Sequence, residues 1–299
     1  MSWRVLYVEE SDNLSLYLDN VKVKRGTVEL TIPLSDLAII VIDNYKLTLT
    51  VNLLNACSNR NIPVILCGDN HHPLNIVLPL SGHFNASKIF LDQLQWKDEL
   101  KAVFWKIYIK QKIKNQLHVL KNVKPESQDA MTILTSYIEE VTDYDSTNRE
   151  GLAAKVYFRA LFGPSFSRQK DDTINACLNY GYSIIRSIIS KVIVAKGLNQ
   201  QLGIFHKGPT NSFNLSDDII EIFRPVIDMF VYKNFLNEKI FIRDHRLKLL
   251  EIINMKISIE NQKVTINHVV EKVVDGVIKF FKDGLITNLV SFEPELYDL

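Results

Sequence analysis

The chain has 299 residues, with 35 Lys+Arg against 34 Asp+Glu and a formal net charge of +1. Its 46% hydrophobic and 23% charged residues supply enough apolar side chain for a filled core and too little charge for a disordered chain. The length exceeds what one core usually spans, which predicts two domains. No apolar run approaches the roughly 18 residues that would cross a bilayer.

The opening, Met1-Ser2-Trp3-Arg4, lacks the basic and apolar regions of a secretory signal, and the expected location is cytoplasmic. Trp3 to Val8 is rich in aromatic and β-branched residues, Leu14 to Leu18 alternates with period two, and Asp19-Asn20 and Arg25-Gly26 suit hairpin turns. A meander of short strands is predicted. Leu37 to Ile42 is a continuous apolar run, Thr48 to Asn59 has helical spacing, and Pro63 to Cys67 reads as another buried strand. From about Asn85 the pattern changes to long segments of 3.6-residue period: Leu91 to Leu120, Asn148 to Phe162, Asp172 to Lys196, Leu215 to Leu236 and Ile266 to Phe281. The expected class is α+β, with a small β-rich domain over residues 1–80 and a larger all-α domain over residues 85–299. Pro79-Leu80-Ser81-Gly82 is the expected linker. Cys57, Cys67 and Cys177 have neither CxxC nor CxxH spacing, which removes a zinc framework and reads as buried thiols.

Residues 101 to 124 hold Lys101, Lys106, Lys110, Lys112, Lys114, Lys121 and Lys124 and no carboxylate. With Trp105, Tyr108 and His118 interleaved, this segment suits a nucleic-acid backbone and exposed bases. The competing reading is a solvated lysine face.

Three places carry residue types that a catalytic metal uses. Glu150 opens a predicted helix, where Thr147-x-x-Glu150 equally matches a capping box. His206 lies in the glycine- and proline-flanked turn Gly203 to Pro209, where a surface histidine is also at home. In Asp217-Asp218-Ile219-Ile220-Glu221, both aspartates fall on one helical face with Glu221, and Arg224 three residues on is a cation to relieve their repulsion. Structural ion pairing explains that cluster as well. His71-His72 lies in a turn with no partner at metal-ligand spacing. No Walker motif, GxGxxG, GxSxG or HExxH occurs.

The succession Asn148-Arg149-Glu150-Gly151, Tyr157-Phe158 with Leu161-Phe162-Gly163, Ile174-Asn175-Ala176-x-Leu178-Asn179-Tyr180-Gly181-Tyr182, the His206 loop, and Asn214-Leu215-x-x-Asp218-Ile219-x-Glu221-x-Phe223-Arg224-Pro225-x-Ile227-Asp228 resembles the CRISPR adaptation integrase family, with the flavour of type II-A systems. This is the universal CRISPR-associated DNA endonuclease that inserts new spacers. The resemblance implies that Glu150, His206 and Glu221 are catalytic and hold Mg²⁺ or Mn²⁺, with Asp218 and Arg224 beside them. It implies a homodimer formed by the β domain, and two such dimers flanking a dimer of a small ferredoxin-like partner. Double-stranded DNA, as prespacer and as CRISPR repeat and leader, is the implied substrate, with Lys106, Lys110 and Lys114 as candidate backbone contacts. The type II-A effector nuclease and an accessory adaptation protein are further candidate partners. Two departures stand out: Lys207 follows His206 where many relatives carry a second histidine, and Asn85 to Lys88 lacks an arginine. A nuclease of branched DNA and a non-catalytic DNA-binding scaffold remain the rival readings.

Overall fold

The computed structural model describes residues 4–259 and 262–297, so Trp3 lies outside the described residues. Two units are distinguished: residues 1–91 with 190–199, and residues 92–189 with 200–299.

The first unit contains β1 (Arg4–Val8), β2 (Asn13–Tyr17), β3 (Asn20–Arg25), β4 (Val28–Pro33), β5 (Leu37–Ile42), β6 (Thr48–Leu49), α1 (Val51–Asn59), β7 (Val64–Cys67) and β8 (Pro73–Val77). The meander is real but smaller than its sequence suggested. β2, β3 and β4 form it, with Leu18 and Asp19 both at positive φ in the first turn and Gly26 at φ +56° in the second. β1 instead pairs in parallel with β5, and the second sheet runs β1-β5-β7-β8. β5 and β7 are parallel, so the chain crosses over through α1. As the covered central strand, β5 is buried at every position. Leu14 and Val21 of the meander share one core with Leu37 and Ile40 of β5 and Leu53 and Cys57 of α1. Gly82, in the expected linker, lies against the backbone of Val194 and Ala195, where a Cβ would come within 2.5 Å of a carbonyl oxygen.

α2 (Ala86–Leu94) spans the boundary between the units. The second unit then contains α3 (Asp98–Val123), α4 (Gln128–Glu140) and α5 (Arg149–Phe162). It continues with α6 (Thr173–Ala195), whose last turns cluster with the first unit, α7 (Asn214–Ile220), α8 (Arg224–Phe235) and α9 (Arg243–Leu250). β9 (Lys256–Ile259), β10 (Gln262–Thr265), α10 (Ile266–Asp283) and β11 (Leu296–Tyr297) complete it. The unit is mostly helical, and it adds the small antiparallel sheet β10-β9-β11, whose strands are too short to announce themselves by period. Two periodic runs prove to be broken helices: Leu91 to Leu120 divides between α2 and α3, and Leu215 to Leu236 divides between α7 and α8. Pro225 sits in the first turn of α8, where its missing N–H costs nothing, and it cannot continue α7.

α3 is enclosed on more than one side. Trp105, Ile109, Ile113 and Leu120 pack with Met131 and Leu134 of α4 and Ala153 and Tyr157 of α5. Phe104 meets Tyr108 on α3 itself, and Phe280 and Phe281 of α10. The expected mixing of lysines and exposed aromatics along this helix is therefore overturned: Trp105 and Tyr108 are core residues. Among the described residues no helix is long and apolar enough to cross a membrane.

Candidate active site

Glu150 is the second residue of α5, and its helix is capped by another group than the sequence pattern indicated. Tyr144, Asp145 and Asn148 all adopt positive φ, folding the preceding turn back. Asp145 then accepts hydrogen bonds from the backbone N–H of Arg149 at 2.8 Å and of Glu150 at 2.9 Å. Two of the orphan donors of the helix start are thereby satisfied. The capping box read from Thr147-x-x-Glu150 does not form, and the Glu150 carboxylate is left available for another partner.

That partner is Lys112 of α3. Its Nζ donates to Glu150 Oε1 and to Glu221 Oε2, each at 2.5 Å. Glu221 lies in the break between α7 and α8, held there because Asn115 of α3 donates to the carbonyl of Ile222 at 2.9 Å. Its second oxygen, Oε1, accepts from Arg224 Nε at 2.8 Å, and the Arg224 guanidinium rests 4.7 Å from the Tyr182 ring. Burial pushes the Glu221 carboxyl up, but Arg224 and Lys112 together outweigh it and hold the group down to about 2. Burial opposes the charge on Lys112, and Glu221 and Glu150 reverse that, so its pKa is raised.

The three acids of the Asp217 to Glu221 segment go separate ways. Asp217 faces Asn211 at 2.8 Å and Arg186 at 3.6 Å. Asp218 is fully buried and receives the whole His206 loop: Oδ2 accepts from the N–H of Ile204 at 2.5 Å and of Phe205 at 3.2 Å, and Oδ1 from the N–H of His206 at 3.0 Å. The same Oδ1 meets His206 Nδ1 at 2.7 Å. The bond to Asp218 raises the imidazole pKa against the opposing effect of burial. His206 Nε2 has no hydrogen-bond partner among the described residues. Its ring stands edge-on to Trp105, which stacks on Phe205 at 4.1 Å, so Trp105 supports the loop from beneath. Gly203 permits this closure, since a Cβ there would lie 2.1 Å from the His206 carbonyl oxygen and 3.0 Å from Asp218 Oδ2.

The structure thus joins Glu150 to Glu221 through Lys112, joins His206 to Asp218, and joins Arg224 to Glu221. The Glu221 charge also contributes to the raised pKa of His206. Sequence reasoning missed Asp145, Asn115 and Lys112, and also Asn214, whose amide clamps the loop by donating to the carbonyls of Gln201 and Gly208 at 3.0 Å. Only Asn214 had a signal, standing in the motif that includes Asp218. Of the candidate DNA contacts, Lys106 is paired with Asp143 at 3.0 Å, whereas Lys110 and Lys114 have no ion-pair partner among the described residues. His71 bonds Asp43 at 2.8 Å in the first unit.

Among the described residues no three His, Cys, Asp or Glu side chains are gathered as a metal cluster. The donor chemistry at this site nevertheless fits a hard divalent ion. Two carboxylate oxygens already converge on one cation. The histidine has Nδ1 engaged by a buried carboxylate and Nε2 free, the arrangement that orients a metal-bound imidazole.

A family model described as CRISPR associated protein Cas1 matches residues 6–263, and the chain belongs to that family. A CRISPR-associated endonuclease Cas1 from Neisseria meningitidis serogroup C is 32% identical over 282 residues, covering 92% of this chain and 91% of its own. A casposase bound to an integration product shares the fold with a TM-score of 0.74 at 19% identity, covering 96% of this chain and 92% of its own. A Cas6-RT-Cas1–Cas2 complex matches with a TM-score of 0.74 at 18% identity, covering 99% of this chain and 37% of the longer one.

Proposed function

We propose that this protein is the integrase of CRISPR adaptation, joining captured foreign DNA to a CRISPR repeat by attack of a DNA 3′-hydroxyl on a phosphodiester. The observation that carries the reading is the delivery of Glu150 from α5 and Glu221 from the break between α7 and α8 to one cation at 2.5 Å. The endonuclease relative and the likeness to a casposase bound to its integration product support it. Glu150, Glu221 and His206 would hold Mg²⁺ or Mn²⁺, which when bound would supply positive charge for phosphate oxygens and for a hydroxyl losing its proton. The rest of the arrangement is preorganisation. Arg224 keeps Glu221 ionised and aimed, Asp218 fixes the tautomer and direction of His206, and Asp145 fixes the first turn of α5. No side chain need act as a general base.

The test is a joining assay with the protein, a small ferredoxin-like partner, a 3′-hydroxyl duplex and a supercoiled repeat plasmid, in Mn²⁺ or EDTA. Covalently joined product in Mn²⁺ alone is expected. Cleaved branched DNA without joined ends would make it a resolving nuclease, and DNA binding without either product would make it a scaffold.

The substrate is double-stranded DNA, and Lys110 and Lys114 are its backbone contacts on α3. Replacing both with alanine is expected to flatten log affinity against log salt by about 2, at roughly 0.9 per phosphate contact. Lys106→Ala should change it less, because Asp143 already neutralises that lysine. An unchanged slope in the double variant returns the segment to a solvated face.

The assembly is a homodimer through the strand-rich unit, with two dimers about a dimer of the small partner. That one structural neighbour is a Cas6-RT-Cas1–Cas2 complex supports association with a partner protein. The homodimer is supported by β4, an edge strand that exposes Val28 and Leu30 at 58% and 61%. Leu30→Lys is expected to lower the mass by light scattering to that of a monomer. A dimer that persists would place the interface in the helical unit.

A further inference from the structure

Lys112 stands in a run of seven lysines, yet it differs from the others. Its side chain is 6% exposed, and two of its three ammonium hydrogens are directed to the two glutamates of the candidate site. The cause is the position of α3. Ile109, Ile113 and Gln116 around it are buried, so a residue at this point of the helix turns inward whatever its charge. A lysine is sustained there only by anions close at hand.

Both oxygens of Glu221 are in use. Oε1 accepts from Arg224 and Oε2 from Lys112, while Glu150 contributes Oε1 to the same ammonium. The two negative charges of the glutamates are therefore balanced by two positive charges before any ion arrives. A divalent ion ligated by Glu221 Oε2 and Glu150 would sit where the ammonium sits. Its charge and that of Lys112 would repel at contact distance.

We propose that Lys112 is a resident counter-cation at the metal position, exclusive with the divalent ion. In the metal-free protein it holds Glu150 and Glu221 together and keeps the site from bursting apart by repulsion. Metal binding displaces it, so the lysine sets the concentration of ion at which the site loads. This deepens the integrase reading and rests on the assignment of Glu150 and Glu221 as metal ligands.

The experiment is a Mn²⁺ titration of the full chain, read by the electron paramagnetic resonance of free Mn²⁺, for the wild type, Lys112→Met and Lys112→Arg, with melting curves in EDTA and in Mn²⁺. Lys112→Met should bind Mn²⁺ roughly ten- to a hundredfold more tightly, the range over which groups bordering a metal's ligands act. It should also melt lower than wild type in EDTA and gain more from Mn²⁺. Lys112→Arg keeps the charge and should keep the weak binding. If Lys112→Met does not fold in EDTA, Mn²⁺ should restore it, since the ion replaces the missing cation, and failure to fold at any Mn²⁺ concentration overturns the proposal. Equal or weaker Mn²⁺ binding by folded Lys112→Met overturns it and leaves the metal assignment standing. Absence of saturable binding in both wild type and Lys112→Met overturns the metal assignment itself.

Discussion

Glu150→Ala is expected to lower strand transfer by about two orders of magnitude or more while the chain stays folded, because it removes a ligand from a group of residues that act as a unit. A capping residue would behave otherwise. Its loss would cost on the order of 1 kcal/mol and leave activity nearly intact. The structure assigns the cap to Asp145, so α5 should be indifferent to the substitution. Carboxylates gathered around an empty site would repel, and deleting one would then stabilise the protein. Lys112 reverses that sign, since it loses one of its two partners in Glu150→Ala, at a cost of roughly 1 to 2 kcal/mol without metal. Glu221→Ala should give the same loss of activity and a larger loss of stability, on the order of 3 kcal/mol or more, because it strips both Arg224 and Lys112 of a buried counter-charge. His206→Ala should match the activity loss with little effect on the melting temperature. Double variants should be no worse in strand transfer than the singles. Near wild-type, Mn²⁺-dependent strand transfer in all three singles would remove these residues from catalysis.

Asp218→Asn is expected to be far from mild, although it preserves size and touches no ion. The carboxylate takes four donors, two on each oxygen. An asparagine can present its carbonyl to one pair only, so its NH₂ group faces either the amides of Ile204 and Phe205 or the amide and imidazole of His206. Donors then confront donors in a fully buried place, a penalty of about 2 to 4 kcal/mol. The His206 loop should loosen and strand transfer should fall with it. Melting curves and the joining assay on the same preparation check both effects. An Asp218→Asn protein with wild-type melting and wild-type activity would mean that the loop is held by something other than this carboxylate.

The contrast between these residues shows what a sequence can disclose here. α6 and α10 were readable to within a residue or two because their cause is local: an apolar face of helical period, ended in α10 by Gly284 at positive φ. β5 was readable because a covered strand is apolar throughout. The pairing of β1 with β5 was not, since nothing in Arg4 to Val8 says that its neighbour lies some thirty residues on rather than across the nearest turn. Glu150, His206 and Glu221 were named by a resemblance, and their types fit the chemistry, but which acids face one another is a tertiary fact. Asp217 and Glu221 share the right helical spacing and part company because the helix stops at Ile220. Lys112 was hidden among lysines that the same helix turns outward, and its burial follows from helices packed against α3 from distant parts of the chain. Thr147-x-x-Glu150 has the capping pattern, and a positive-φ turn that brings Asp145 to the helix start defeats it.

The central claim is that Glu150, His206 and Glu221 serve one ion. Anomalous diffraction from crystals of the protein grown with Mn²⁺ tests it most directly. One peak is expected, about 2 Å from a carboxylate oxygen of each glutamate and from Nε2 of His206, with the Lys112 ammonium moved away from it. A protein saturated with Mn²⁺ whose anomalous peaks all lie elsewhere, with Lys112 still seated between the glutamates, would contradict the account.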